Sequence, residues 1–186
     1  GIARDDRDVV GAGRSVAALV TSHGFSAVHG GTSHAISATV LAGEGGDKQR
    51  DHAWRQARHA ADLLKPEEIG TLAGTRAVSR VRPARLKSGQ MTVVFDPRVG
   101  GSLVSHLVSA MSGPTIARRA SFLLDRLDQR LFDPAVVIEE DPLRPRGLRS
   151  RPFDGEGLAT VPRRLVEAGR ITGWLMESAS ARQLGL

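Results

Sequence analysis

The 186-residue sequence contains no cysteine. That absence excludes a disulfide framework, a thiolate zinc site and a cysteine nucleophile, and it fits a reducing compartment. Aromatic residues make up only 4% of the chain, too few to build the stacking platforms that grip single-stranded nucleic acid. No run of about eighteen apolar residues occurs and no basic-then-apolar leader opens the chain, so neither a membrane-spanning helix nor a secretory signal is legible. What remains is ordinary globular composition, 40% hydrophobic and 25% charged, long enough for one large domain or two small ones. The first residue is Gly1, and "ARQLGL" ends the sequence without a visible stop signal; a piece of a longer polypeptide is the expectation.

Positive charge exceeds negative, 26 Lys and Arg against 20 Asp and Glu. Where the charges fall argues against nucleic acid as the main partner. Arg76, Arg80, Arg82, Arg85 and Lys87 close a helical pattern opened by Pro66, Glu67 and Glu68, the polarity a helix dipole favours. A second cluster, Arg144, Arg146, Arg149 and Arg151, sits in the Pro/Gly-rich loop "DPLRPRGLRSRPFDGEG", interleaved with no aromatic residue except Phe153.

Patterning predicts an α+β fold, an antiparallel meander followed by mixed strands and helices. Alternation from Ser15 to Leu41, broken at "SHG" and "HGGTS", gives three strands with turns near Ser22 and His29. A helix is expected over the following segment with Ala53, Trp54, Ala57, Ala61 and Leu64 inward, then a second from Pro66 with Ile69, Leu72, Ala73 and Ala77 inward. "GQMTVVFDP" reads as a buried strand. A helix from about Gly101, capped by Ser102, carries the stripe Leu103, Leu107 and Met111, widened by Val104 and Val108, beside a face of small residues, Ser105, Ser109 and Ser112. A helix around Ile116 to Leu127, a strand "AVVIEE" and a hairpin turning at Ala168 and Gly169 complete the chain. The division expected is 1–88 and 89–186.

Local chemistry is sparse. His52 and His59, seven apart on the expected helix, stand about 10 Å apart along its axis and cannot share an ion. His23, His29 and His34 fall at or beside turns and read as surface histidines. His106 borders an apolar stripe with no acid or histidine one turn away, which describes a packed, hydrogen-bonded residue. Asp154 and Glu156 in "PFDGEG" could form a carboxylate pair for hydrolysis, though a Gly-flanked acidic turn is usually structural.

Three long blocks carry a resemblance. "VVFDPRVGGSLVSHLVSAMSGPTIARRASFL", "DPLRPRGLRSRPFDGEGLAT" and "LVEAGRITGWLMESASARQLGL" resemble the TldD/PmbA family, also called modulator of DNA gyrase, in its PmbA (TldE) branch. "LVTSHGFSAVHGGTSHAISATVLAGEGGDKQRDHAW" is similar to that branch's middle segment, so 1–88 would be the middle segment and 89–186 the beginning of a C-terminal metallopeptidase-like domain.

The resemblance implies a cytoplasmic zinc metalloprotease complex of TldD-type and PmbA-type subunits acting on unfolded peptides and small proteins. TldD-type chains carry HExxxH on the helix matching this one, with zinc held by the histidines and a cysteine nearer the C-terminus. Carried over by position, the first His is Ser105, the Glu is His106 and the second His is Ala110. None of these supplies the family's chemistry at that position, so the expectation is a non-catalytic subunit with no metal or cofactor of its own. Zinc would reside in a TldD-type partner within an oligomer, and Ser109, Arg151, Asp154, Glu156 and Arg182 would line a substrate path or an interface. Other readings are a DNA- or gyrase-binding module, an independent peptidase using Asp154 and Glu156, and a metalloprotease with unconventional ligands.

Overall fold

The computed structural model describes residues 3–186. Its contacts gather into two compact units. One comprises the residues up to Ser88 together with Pro142–Thr160; the other comprises Gly89–Asp141 with Val161–Leu186.

The first unit is built on a long hairpin. Strands β1 (Ala3–Val20) and β2 (Ser26–Ala42) pair antiparallel from Val20 opposite Ser26 to Ala3 opposite Ala42. Thr21 N donates to Phe25 O at 2.9 Å to close the turn. Strand β3 (Gln49–Ala57) adds to the distal half of β2 only, from His34 opposite Ala57 to Ala42 opposite Gln49. Among the described residues, Ser26–Ser33 therefore pairs with β1 on one side and with no strand on the other.

Alternate residues of β2, Ile36, Ala38, Val40 and Ala42, are buried, as a sheet covered on one face requires. The cover is helix α1 (Pro66–Ser79). Proline suits its first turn, and the Glu68 carboxylate accepts from Lys65 N at 2.9 Å, satisfying an otherwise orphan donor. Its inner residues Ile69, Ala73 and Ala77 are spaced by four and fully covered; the two alanines let the helix axis lie close to the sheet. Asp51 is buried beside this core and is held by Arg80 at 3.2 Å and by His52 N at 2.7 Å, which compensates its lost hydration.

The second unit joins helices α2 (Pro97–Ala110), α3 (Gly113–Ala117) and α4 (Ser178–Leu184) to a small antiparallel sheet of β4 (Ile138–Glu140), β5 (Arg163–Glu167) and β6 (Arg170–Ile171). Its core is Ala110, Met111, Leu123, Leu165 and Ile171. The β5–β6 turn has φ of 45° at Ala168 and 75° at Gly169, the pair of positive values of a type I′ hairpin. Any Cβ at Gly169 would stand 2.2 Å from Phe132 O, so glycine is required there twice over.

The α+β class and the antiparallel first sheet stand, but several elements differ from expectation. The third strand of the meander is Gln49–Ala57, in place of a helix, so His52 and His59 do not share one; the turn expected at His29 is continuous strand. "GQMTVVFDP" forms no strand before Pro97; Val93 and Val94 lie 64% and 90% exposed, and neither sheet pairs with them. Helix α2 begins four residues early because Asp96, in place of Ser102, caps it by accepting from Arg98 N. The helix expected to Leu127 stops at Ala117, and α4 was not anticipated; its end is marked by Gly185 at φ 73°.

Candidate functional site

Helix α2 carries the three positions singled out by sequence. The Ser105 hydroxyl donates back to Gly101 O at 3.0 Å, a bond that ties it to its own helix. His106 is exposed, in place of being packed, and its imidazole makes no hydrogen bond among the described residues. Ala110 is buried; its carbonyl accepts from the buried Ser121 hydroxyl at 2.7 Å, and that hydroxyl accepts from Leu123 N at 3.0 Å. Of the expected stripe, Met111 is fully buried and Leu107 and Val108 pack on the core, whereas Leu103 and Val104 are exposed.

The exposed part of the stripe has a structural context. Leu103, His106 and Leu107 form one wall of an apolar groove of about 750 Å³ whose other wall includes Phe122, Phe132 and Ile138. The groove belongs wholly to the second unit.

Zinc does not fit the helix. An alanine offers no lone pair, the serine hydroxyl is a poor ligand already engaged at Gly101, and a single imidazole leaves three positions of a tetrahedral ion unfilled. Among the described residues no three His, Asp or Glu side chains converge.

The remaining expected site residues fall in two groups. Arg151, Asp154 and Glu156 share the loop Pro142–Thr160 of the first unit, while Ser109 and Arg182 lie exposed on α2 and α4 of the second. Asp154 Oδ1 accepts from Glu156 N and from Leu158 N, each at 2.9 Å. That carboxylate closes its own turn, which is the structural reading of "PFDGEG". Arg151 is held by its backbone, its carbonyl accepting from the Thr160 hydroxyl at 2.6 Å, with its side chain exposed.

Sequence reasoning missed what holds this loop. Arg58, just past β3, donates to Gly147 O at 3.2 Å, Leu148 O at 2.6 Å and Thr32 O at 3.3 Å. Gly31 permits this, because a Cβ there would stand 2.2 Å from the Arg58 guanidinium. Arg146 reaches both carboxylate oxygens of Asp62, at 2.9 and 3.1 Å. Phe153 meets Phe25 edge-on with ring centres 5.1 Å apart. The one available signal was "HGG" within an alternating strand, where two glycines mark a close approach as well as a turn.

Arg164 and Glu177 have perturbed protonation. Arg164 is raised above its usual range by hydrogen bonds to Glu167 and Glu139. Glu177, which caps α4, is lowered, chiefly by the Ser180 hydroxyl that donates to it.

The fold and these blocks of sequence have close counterparts. Residues 2–81 match the family model described as the PmbA/TldA metallopeptidase central domain, and 88–186 match the C-terminal domain of the same family. Solved structures agree: a Bacteroides thetaiotaomicron protein bearing a modulator-of-DNA-gyrase name superposes with a TM-score of 0.91 over 96% of this chain and 41% of its own, at 26% identity. TldE from Thermococcus kodakarensis shares the fold, with a TM-score of 0.73 over 96% of this chain and 40% of its own, at 19% identity. The chain belongs to the TldD/PmbA family of metallopeptidases. Among curated relatives, Metalloprotease PmbA of Escherichia coli O157:H7 is 39% identical over 89% of this chain and 37% of its own length. A PmbA homolog of Buchnera aphidicola is 34% identical over 79% of this chain and 33% of its own. The chain thus spans well under half the length of these relatives.

Proposed function

We propose that this chain is part of a PmbA/TldE-like subunit of a cytoplasmic, zinc-dependent protease complex that cleaves unfolded peptides and small proteins, and that it contributes framework in place of metal. The observation that carries the reading is the α2 helix, whose Ser105, His106 and Ala110 occupy the positions implied for HExxxH. Without two ligands and a carboxylate base, zinc-bound water can be neither formed nor deprotonated on this helix. The metal and the general base would come from a TldD-type partner. Ser109, Arg151, Asp154, Glu156 and Arg182 are exposed, or lie on an exposed loop, and are available to guide substrate or meet that partner.

An unfolded-peptide cleavage assay on three samples tests this: the subunit alone, an HExxxH partner alone, and the mixture. The expected result is no turnover by the first and the greatest by the mixture, abolished by chelation and by Glu→Gln in the partner's motif. Chelator-insensitive cleavage by this subunit alone overturns the reading in favour of a carboxylate mechanism at Asp154 and Glu156. Tight, stoichiometric zinc in this subunit overturns it in favour of unconventional ligands. The gyrase-modulator name of the Bacteroides thetaiotaomicron structure and the net positive charge support a second reading, DNA or gyrase binding. Failure of the subunits to associate, together with sequence-selective DNA binding that survives added salt, would favour that one.

A further inference from the structure

A second concavity lies in the first unit, with a volume of about 590 Å³, and nothing in the proteolytic reading uses it. Four stretches of chain far apart in sequence meet there. β1 supplies Arg14, β2 supplies Gly30, Gly31 and Thr32, the segment after β3 supplies Arg58, and the loop Pro142–Thr160 supplies Arg146. Arg14 stands directly opposite Thr32 in the strand register. Among the described residues, no acidic side chain lines the cavity.

The charge in this concavity is only partly compensated. Arg58 is fixed by three backbone carbonyls, which orient the guanidinium without neutralising it. Of the five N–H groups a guanidinium carries, these bonds leave two over. Arg146 is neutralised by Asp62, but only its Nη1 is used, so Nε and Nη2 remain as donors. Arg14 is exposed, and among the described residues no carboxylate is paired with it. His29, His59 and Ser150 add further hydrogen-bonding groups at the wall, and Gly30 lies exposed there.

We infer that this concavity is an anion site for a phosphate group, borne by inorganic phosphate or by a small phosphomonoester. Guanidinium groups match oxyanions through paired N–H donors. Three of them arriving from three separate segments suit a tetrahedral group with oxygens on several sides better than a planar carboxylate with two. Arg58 and Arg146 are already immobilised by bonds to protein, so little side-chain entropy is lost on binding.

The test is calorimetric titration of the full chain in chloride buffer with inorganic phosphate, with O-phosphoserine and with glutarate. Expected is saturable one-to-one binding of phosphate or phosphoserine, weakened about tenfold by Arg14→Gln, the loss of one charge-assisted donor pair. Arg14 takes no part in the contacts that fix the loop, so this variant keeps the fold, which thermal unfolding checks. Arg55→Gln, which removes equal charge from β3 outside the cavity, should change affinity less than twofold. Phosphoserine binding more tightly than inorganic phosphate identifies a monoester as the ligand; the reverse identifies the free ion. Glutarate binding as tightly as either overturns the phosphate assignment. No saturable binding, or equal losses in Arg14→Gln and Arg55→Gln, overturns the site altogether.

Discussion

Glu177 shows how a single residue of the second unit serves local structure at some cost in acid tolerance. Its carboxylate caps the short helix α4 by accepting from Ser180 N at 3.2 Å and from the Ser180 hydroxyl, and Ser180 is buried. Both bonds favour the ionised form, so the folded-state pKa lies below the ordinary glutamate value. A depressed acid contributes stability that is fully present above its unfolded pKa, about 4.3, and is lost as pH falls through the lower folded value. Glu177→Gln should therefore lower stability at neutral pH and flatten the acid limb below about pH 4.5. Urea unfolding at several pH values measures both; an acid limb parallel to that of the parent chain would remove Glu177 as a cause. The site was partly legible at this scale. The residue types at 105, 106 and 110 are read directly from the sequence, and they differ from HExxxH at all three positions. Whether His106 was buried was not legible, because Leu103 and Val104 beside it fit the periodicity of a core stripe yet border an open groove.

At the scale of elements, periodicity succeeded where burial follows one face and failed where two periods fit. Pro66–Ser79 was legible because Pro66, Glu67 and Glu68 mark its start and Ile69, Ala73 and Ala77 recur every four residues. Gln49–Ala57 contains Ala53, Trp54 and Ala57 at helical spacing within a run of good helix formers, yet it is a strand whose inward residues are Asp51 and Ala53. Backbone pairing with β2 overrides propensity there, and a buried aspartate whose partner, Arg80, lies 29 residues on gives no local signal. The loop Pro142–Thr160 behaves similarly. Its arginines read only as a basic cluster in a Pro/Gly-rich loop, whereas Arg146 is an anchor and Phe153 is seated against Phe25. Phe153→Ala should release the loop, since an edge-to-face aromatic pair contributes about 0.5–1.5 kcal/mol beyond its buried area. Limited trypsin digestion followed by mass spectrometry should then show faster cleavage after Arg146 and Arg149, the loop arginines not followed by proline, with cleavage at the strand arginines Arg50 and Arg55 unchanged. Equal rates in the loop of parent and variant would mean that Phe153 does not hold it.

At the scale of the whole molecule, order in sequence and grouping in space diverge. The family models divide the chain between residues 81 and 88, but Pro142–Thr160 packs with the residues before that division. The consequence falls on the proximal half of the β1–β2 hairpin. Ser26–Ser33 lacks the third strand that covers His34–Ala42, and the loop touches this two-stranded stretch through Phe25, through Arg58 bound to Thr32, and through the neighbouring Asp62. Two-stranded ribbons are marginal in water without such cover. A polypeptide ending at Ser88 should therefore keep its helix-covered core of Ile36, Val40, Ile69 and Ala73 but lose protection at the hairpin tip. Hydrogen exchange read by mass spectrometry, comparing that polypeptide with the full chain, tests this directly. Amides of Ser26–Thr32 should exchange at least tenfold faster in the shortened form, about 1.4 kcal/mol of lost local stability, while those of Ile36–Ala42 change much less. Equal exchange at Ser26–Thr32 would show that the hairpin holds itself and that the loop only rests upon it.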